Sequence, residues 1–246
     1  MHKAQPALYS IAHRQPAVPP PTAPAAAHAF VAQAGATLQA CRFAGSAQAG
    51  APRVWAIVWQ APAPAGARPD TVRARARATA RGALARLLAD ALGLPAGAIT
   101  LDDQRGRPPR ALAADPSLAP RLAALGLSIG HASAASLIAW RQGGPVGVDL
   151  QAPPDWPRAE LLRLARDYLG DAAARSLAAQ AEGPPLRRAF AAAWAAHEAQ
   201  LKCLGEPLAE WSAALAARLT GGALAPLSLA VAGEQEHEHA AAVAWR

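Results

Sequence analysis

Residues 190–205 read FAAAWAAHEAQLKCLG, and this run constrains the chain more than any other. Nearly every position is alanine, leucine or aromatic, the pattern of a buried or half-buried helix. Gly205 supplies a C-terminal stop. Into this apolar run the sequence sets His197, Glu198 and Lys202. Glu198 and Lys202 are four apart, so they share one helix face, one turn apart. A solvated salt bridge of a few tenths of a kcal/mol would account for such a pair. However, charge on an apolar helix is costly unless it is paired or binds something. The chain has 24 Lys+Arg, yet only Lys3 and Lys202 are lysines. A compact, titratable ammonium differs chemically from a guanidinium fork, so this position suits proton or phosphate chemistry.

A second unusual run lies upstream. Residues 136–141, SLIAWR, lead through Gln142-Gly143-Gly144-Pro145 into Gly147-Val148-Asp149-Leu150-Gln151. Strand, Gly-Gly turn and strand predict a hairpin. Asp149 falls in or at the end of the second strand, where aspartate is disfavoured, which makes it a ligand candidate.

The rest of the chain supplies context. A hydrophobic fraction of 52% is ample for a core, and with aromatics at 5% and alanine dominant, helices are favoured over broad sheets. Net charge is +7 and the pI is about 10.6, so a nucleotide, a nucleic acid or an acidic protein is an expected partner class. No recognisable nucleic-acid motif or interleaved aromatics accompany the arginines, which counts against a nucleic-acid binder. Cys41 and Cys203 make neither a disulfide framework nor a metal spacing. No apolar run of about 18 residues is present and no signal-peptide pattern opens the chain, so neither a membrane span nor export is expected, and the expected compartment is the cytoplasm.

Residues 1–28 are rich in proline and alanine and read as a tail, and 30–50 as a strand-bearing lead-in. RVWAIVWQ, residues 53–60, reads as a strand. Asp70 is then the expected N-cap of a helix from Thr71 to about Leu92, with Val72, Leu84, Leu87, Leu88 and Leu92 inward. Arg73, Arg77 and Arg81 recur every four residues on that helix, either as a solvated face or as a phosphate-binding stripe. Residues 99–101 predict a short strand before a basic turn that contains Arg107. Residues 158–180 predict helix, with Asp171 capping a second short one. Residues 227–231 and 240–245 read as closing strands around an acidic, histidine-bearing tip.

Gly147-Val148-Asp149 on a strand, followed by Trp194-x-x-His197-Glu198-Ala199-x-x-Lys202 on a helix, resembles the signature of the 4′-phosphopantetheinyl transferase superfamily. The long N-terminal half is similar to the larger, Sfp-type class. The resemblance implies an α+β fold of two pseudo-symmetric lobes, each a helix on a small antiparallel sheet, with the active site in the cleft between them. Its boundaries here would be a tail and lead-in at 1–50, an N-terminal lobe at 51–145 and a C-terminal lobe at 146–246. The implied reaction moves the phosphopantetheine of coenzyme A onto a serine of an acyl or peptidyl carrier protein, with Mg²⁺. Asp149 and Glu198 would be metal ligands with Gln151 beside them, and Glu198 and Lys202 would serve the chemistry. Arg107, in a Gly-Arg-Pro turn, and His131, after Ser128-Ile129-Gly130, match the positions implied to contact coenzyme A phosphates. Arg77 and Arg81 are added from the arginine stripe. A monomer is expected.

The sequence departs from the family pattern at several positions. Gln151 stands where a third carboxylate is usual, and a glutamine carbonyl can reach a metal but brings no charge. His197 replaces a lysine, which implies a weaker phosphate contact at neutral pH. Gly130 and Ala132 replace hydroxyl residues beside His131. These losses leave open an alternative, a catalytically weakened homologue that binds coenzyme A or a carrier protein.

Overall fold

The structure, a computed structural model, describes residues 24–60, 68–102, 104, 107–132, 135–227, 229 and 239–246. Its elements are helices and small antiparallel sheets, an α+β architecture.

Four strands form the first sheet in the order β1 (Ala36–Ala40), β2 (Arg53–Trp59), β6 (Ala135–Gln142) and β5 (Leu125–His131). Helix α1 (Ala25–Gln33) and the long α2 (Pro69–Ala91) cover one face. On α2, Ala76, Ala80, Ala83, Leu84, Leu87 and Leu88 are buried, a recurrence of three and four residues that makes one apolar stripe. Opposite them on the sheet lie Trp55, Ile57, Leu127, Ile138 and Trp140. The helix begins one step before the expected cap. Arg68 is the N-cap, Pro69 opens the helix, and Asp70 sits in the first turn, where its charge faces the positive helix end. A two-stranded ribbon, β3 (Ile99–Leu101) with β4 (Ala111–Ala113), and the short α3 (Ala119–Ala123) connect α2 to β5.

The second sheet has the order β7 (Val146–Gln151), β9 (Ala240–Trp245) and β8 (Ala223–Leu227). Between β7 and β8 run α4 (Arg158–Leu164), a π-helical segment (Ala165–Leu169), α5 (Asp171–Ala178), α6 (Pro184–Leu204) and α7 (Ala213–Leu219). Gly170, at φ 85°, takes the cap position assigned to Asp171, which falls one residue inside α5. The strand β8 runs earlier than the one expected at 227–231 and shares only Leu227 with it; residues 228 and 230–238, including most of the acidic tip, lie outside the described residues. Pro226 disguises β8 in the sequence, but among the described residues β8 pairs only with β9, and an edge strand tolerates proline.

The expected hairpin of residues 136–151 does not form. β6 pairs with β2 and β5, whereas β7 pairs with β9 in the other sheet. Gly143, at φ 77°, and Pro145, which has no N–H to donate, carry the chain across. The two sheets instead pack face to face. Val54, Ala56, Val58, Leu137 and Ala139 meet Val146, Val148, Leu150, Leu227 and Val243 in one core. Burial on both faces explains why β2 and β6 read as continuous apolar runs. The outer face of the second sheet is covered by α6, through Ala195, Ala199, Cys203, Ala242 and Ala244. No helix among the described residues is long and apolar enough to cross a membrane.

Candidate active site

β7 carries two faces. Val146, Val148 and Leu150 enter the core between the sheets, and the alternate residues Gly147, Asp149 and Gln151 lie on the α6 side. Gly147 has no room for a side chain. A Cβ there would overlap the Ala199 carbonyl oxygen and lie 2.5 Å from the Cys203 nitrogen, so α6 rests directly on the strand backbone. Gly205, at φ 70°, then closes α6 in the left-handed conformation.

This close approach brings the two sequence motifs together. Lys202 Nζ lies 2.6 Å from Asp149 Oδ1 and donates to the Val148 carbonyl at 3.3 Å. The pair is therefore tertiary, and Glu198 has a different partner: Trp194 Nε1 donates to its Oε1 at 3.2 Å. Asp149 is buried. Burial pushes its carboxyl up to about 6, against the pull of the Lys202 ammonium, and the charge of nearby Glu198 adds to the rise.

The end of β5 adjoins the same place. Ser128 Oγ accepts from Val148 N at 3.0 Å, and a Cβ on Gly130 would press on Val148 O and Asp149 Cα at 3.1 and 3.2 Å. Gly130 thus lets β5 lie close to β7, a physical reason for the lost hydroxyl. His131 keeps an exposed face, yet protein packed around its imidazole, together with the charges of Lys202, Arg77 and Arg81, lowers its pKa to about 4. His131 Nδ1 lies 2.8 Å from Ser136 Oγ.

Residues 145–245 match the family model of the 4′-phosphopantetheinyl transferase superfamily. They form a domain of that superfamily. The match implies phosphopantetheinyl transferase activity in general. It contains Asp149, Glu198 and Lys202, whereas His131, Arg77 and Arg81 come from the preceding half of the chain. No curated protein matches the chain.

Around this transferase-superfamily domain the remaining expected residues fall differently. Gln151 is half-buried on the Asp149 side of β7, with its amide nitrogen donating to the Ala152 carbonyl at 3.1 Å. Arg107 is exposed, and its guanidinium donates to Gln104 Oε1 at 3.0 Å. His197, expected as a weaker phosphate contact, faces an aromatic ring. It is buried, burial lowers its pKa, and its ring centroid lies 6.0 Å from that of Trp211. Trp211 in turn packs on Gly170.

Two features escaped the sequence reading. One is the Ser136 hydroxyl, hidden in an apolar strand. The other is an open cavity of about 690 Å³ lined in part by Lys202 and walled by Pro109, Leu112, Leu122, Leu127 and Val146. Its walls come from segments distant in sequence, and no local pattern marks them. Among the described residues, no group of three or more His, Cys, Asp and Glu could hold a metal ion.

Proposed function

We propose that the protein transfers the 4′-phosphopantetheine group of coenzyme A to a serine of an acyl or peptidyl carrier protein, as an Sfp-type enzyme dependent on Mg²⁺. The observation that carries this reading is the Lys202–Asp149 contact of 2.6 Å, which unites the strand motif with the helix motif.

The donor set bears on the metal. An all-protein cage is not what Mg²⁺ requires; it is typically held by one or two carboxylates together with substrate phosphates and water. Asp149 and Glu198 are two carboxylates close enough for the charge of one to raise the pKa of the other, and the Gln151 amide lies on the same strand face as Asp149. These residues fit such an ion. Bound there, Mg²⁺ would offset negative charge on the diphosphate.

The chain's own residues supply the remaining steps. His131, Arg77 and Arg81 bind phosphate oxygens. Glu198, held at Oε1 by Trp194, accepts the proton of the carrier serine, a general-base role with a typical gain of about 10²–10⁴-fold. The serine oxygen forms a bond to the phosphorus that bears pantetheine, and the bond from that phosphorus to the 3′,5′-ADP oxygen breaks. Lys202 neutralises the charge that develops on the departing phosphate.

A second reading, a weakened homologue that binds without efficient transfer, is favoured by the uncharged Gln151 and by His197 facing Trp211. Mass spectrometry of an apo-carrier protein incubated with coenzyme A, Mg²⁺ and this protein separates the two. A gain of one phosphopantetheine supports the transferase. Binding of coenzyme A in a titration without any mass gain supports the second reading.

A further inference from the structure

We infer that Ser136 is a positioning residue that fixes the tautomer of His131, so that the neutral imidazole presents its Nε2–H as a donor to a phosphate oxygen. The two residues are opposite one another in the β5–β6 register, and Ser136 Oγ lies 2.8 Å from His131 Nδ1. Ser136 is fully buried. Among the described residues its hydroxyl has no other hydrogen-bond partner. If Nδ1–H donated to Oγ, the serine proton would be a buried donor with no acceptor among the described residues, which costs about 1–3 kcal/mol. With Oγ–H donating to Nδ1, that cost disappears and the ring proton must sit on Nε2.

The surroundings make this choice consequential. Lys202 on α6 and Arg77 and Arg81 on α2 surround His131 with positive charge, and with the packing of its ring they keep the imidazole neutral near pH 7. A neutral imidazole has a single N–H. Toward an anion it is useful only in the tautomer that points this N–H outward. Ser136 therefore does from the neighbouring strand what residues 130 and 132, glycine and alanine here, have no hydroxyl to do. The inference rests on the transferase reading only for the identity of the phosphate ligand.

The test has two arms. In ¹⁵N spectra of histidine-labelled protein, with His131 assigned from the His131→Ala variant, the wild type is expected to show Nε2 protonated and Nδ1 as an acceptor. Ser136→Ala is expected to lose that pattern. In calorimetric titrations with coenzyme A, Ser136→Ala should weaken binding about 5- to 10-fold, the worth of one hydrogen bond of roughly 1 kcal/mol. The Ser136→Ala/His131→Ala double variant should bind no more weakly than His131→Ala alone. A wild-type Nδ1–H tautomer, unchanged affinity in Ser136→Ala, or additive losses in the double variant would each overturn the inference. Absence of coenzyme A binding by the wild type would instead sink the transferase reading, and the tautomer spectra would then decide the role of Ser136.

Discussion

Asp149 is a carboxylate held where burial opposes its charge. Its folded pKa, about 6, lies above its ordinary value of 3.8. For an acid raised in this way, the folded state is not penalised below the ordinary value and loses stability as pH rises through the folded value. Melting temperature is therefore expected to fall between about pH 4 and pH 7 by an amount worth on the order of 2–3 kcal/mol, a component absent from Asp149→Asn. Identical profiles for the two proteins would refute this reading of Asp149. Two residues along the same strand face, Gln151→Glu should lower the Mg²⁺ concentration needed for transfer while leaving the rate at saturating Mg²⁺ little changed. Opposite charges about 4 Å apart at an effective dielectric near 20 interact by a few kcal/mol, so even a screened fraction is visible. Superimposable rate curves against Mg²⁺ would place Gln151 away from the metal. At this scale the sequence was most readable where chemistry is out of place: an aspartate in a strand, a rare lysine in an apolar helix. Ser136 was not readable, because serine inside an apolar strand carries no signal until the register pairs it with His131.

Among the elements, β7 and α6 decide whether the site exists, and Gly147 decides how closely they meet. Gly147→Ala places a methyl against backbone atoms of Ala199 and Cys203, which cannot rotate away as a side chain could. Overpacking typically costs about 1–3 kcal/mol, and contact with backbone puts this variant at the upper end. The melting temperature should drop by several degrees, and transfer should be lost as Lys202 draws away from Asp149. Full activity in Gly147→Ala would show that the close approach is not what assembles the site. The elements also show where local pattern runs out. β2, α2 and α6 follow from apolar periodicity and punctuation, as read. The false hairpin followed from a Gly-Gly turn whose local geometry allowed pairing; the partners that won, β2 and β5 for β6 and β9 for β7, lie far away in sequence. Helix α7 shows no sequence contrast, since its AALAARL resembles the alanine-rich segments around it.

For the whole molecule, the family match and the folding unit have different boundaries. The match begins at residue 145, but one face of the sheet it contains packs against the preceding half of the chain. Val146, Val148, Leu150, Leu227 and Val243 would be laid bare if β2 and β6 were removed. A contiguous apolar face of this kind drives association or disorder when it is left uncovered. A three-stranded sheet with a helix on one side and water on the other also forfeits the stapling bond from Ser128 to Val148. Expressed alone, residues 145–246 are therefore expected to bind a hydrophobic dye, to give a poorly dispersed amide spectrum and to unfold without a sharp transition. Mixing with residues 24–144 should restore dispersion and coenzyme A affinity together, because His131, Arg77 and Arg81 arrive with the missing face. A sharp, cooperative melt for the isolated 145–246 segment would show that the second half is an independent domain and that the shared core contributes little. Recovery of dispersion without recovery of coenzyme A binding would separate the two roles, leaving the first half as a cover for the sheet and removing its basic residues from the site.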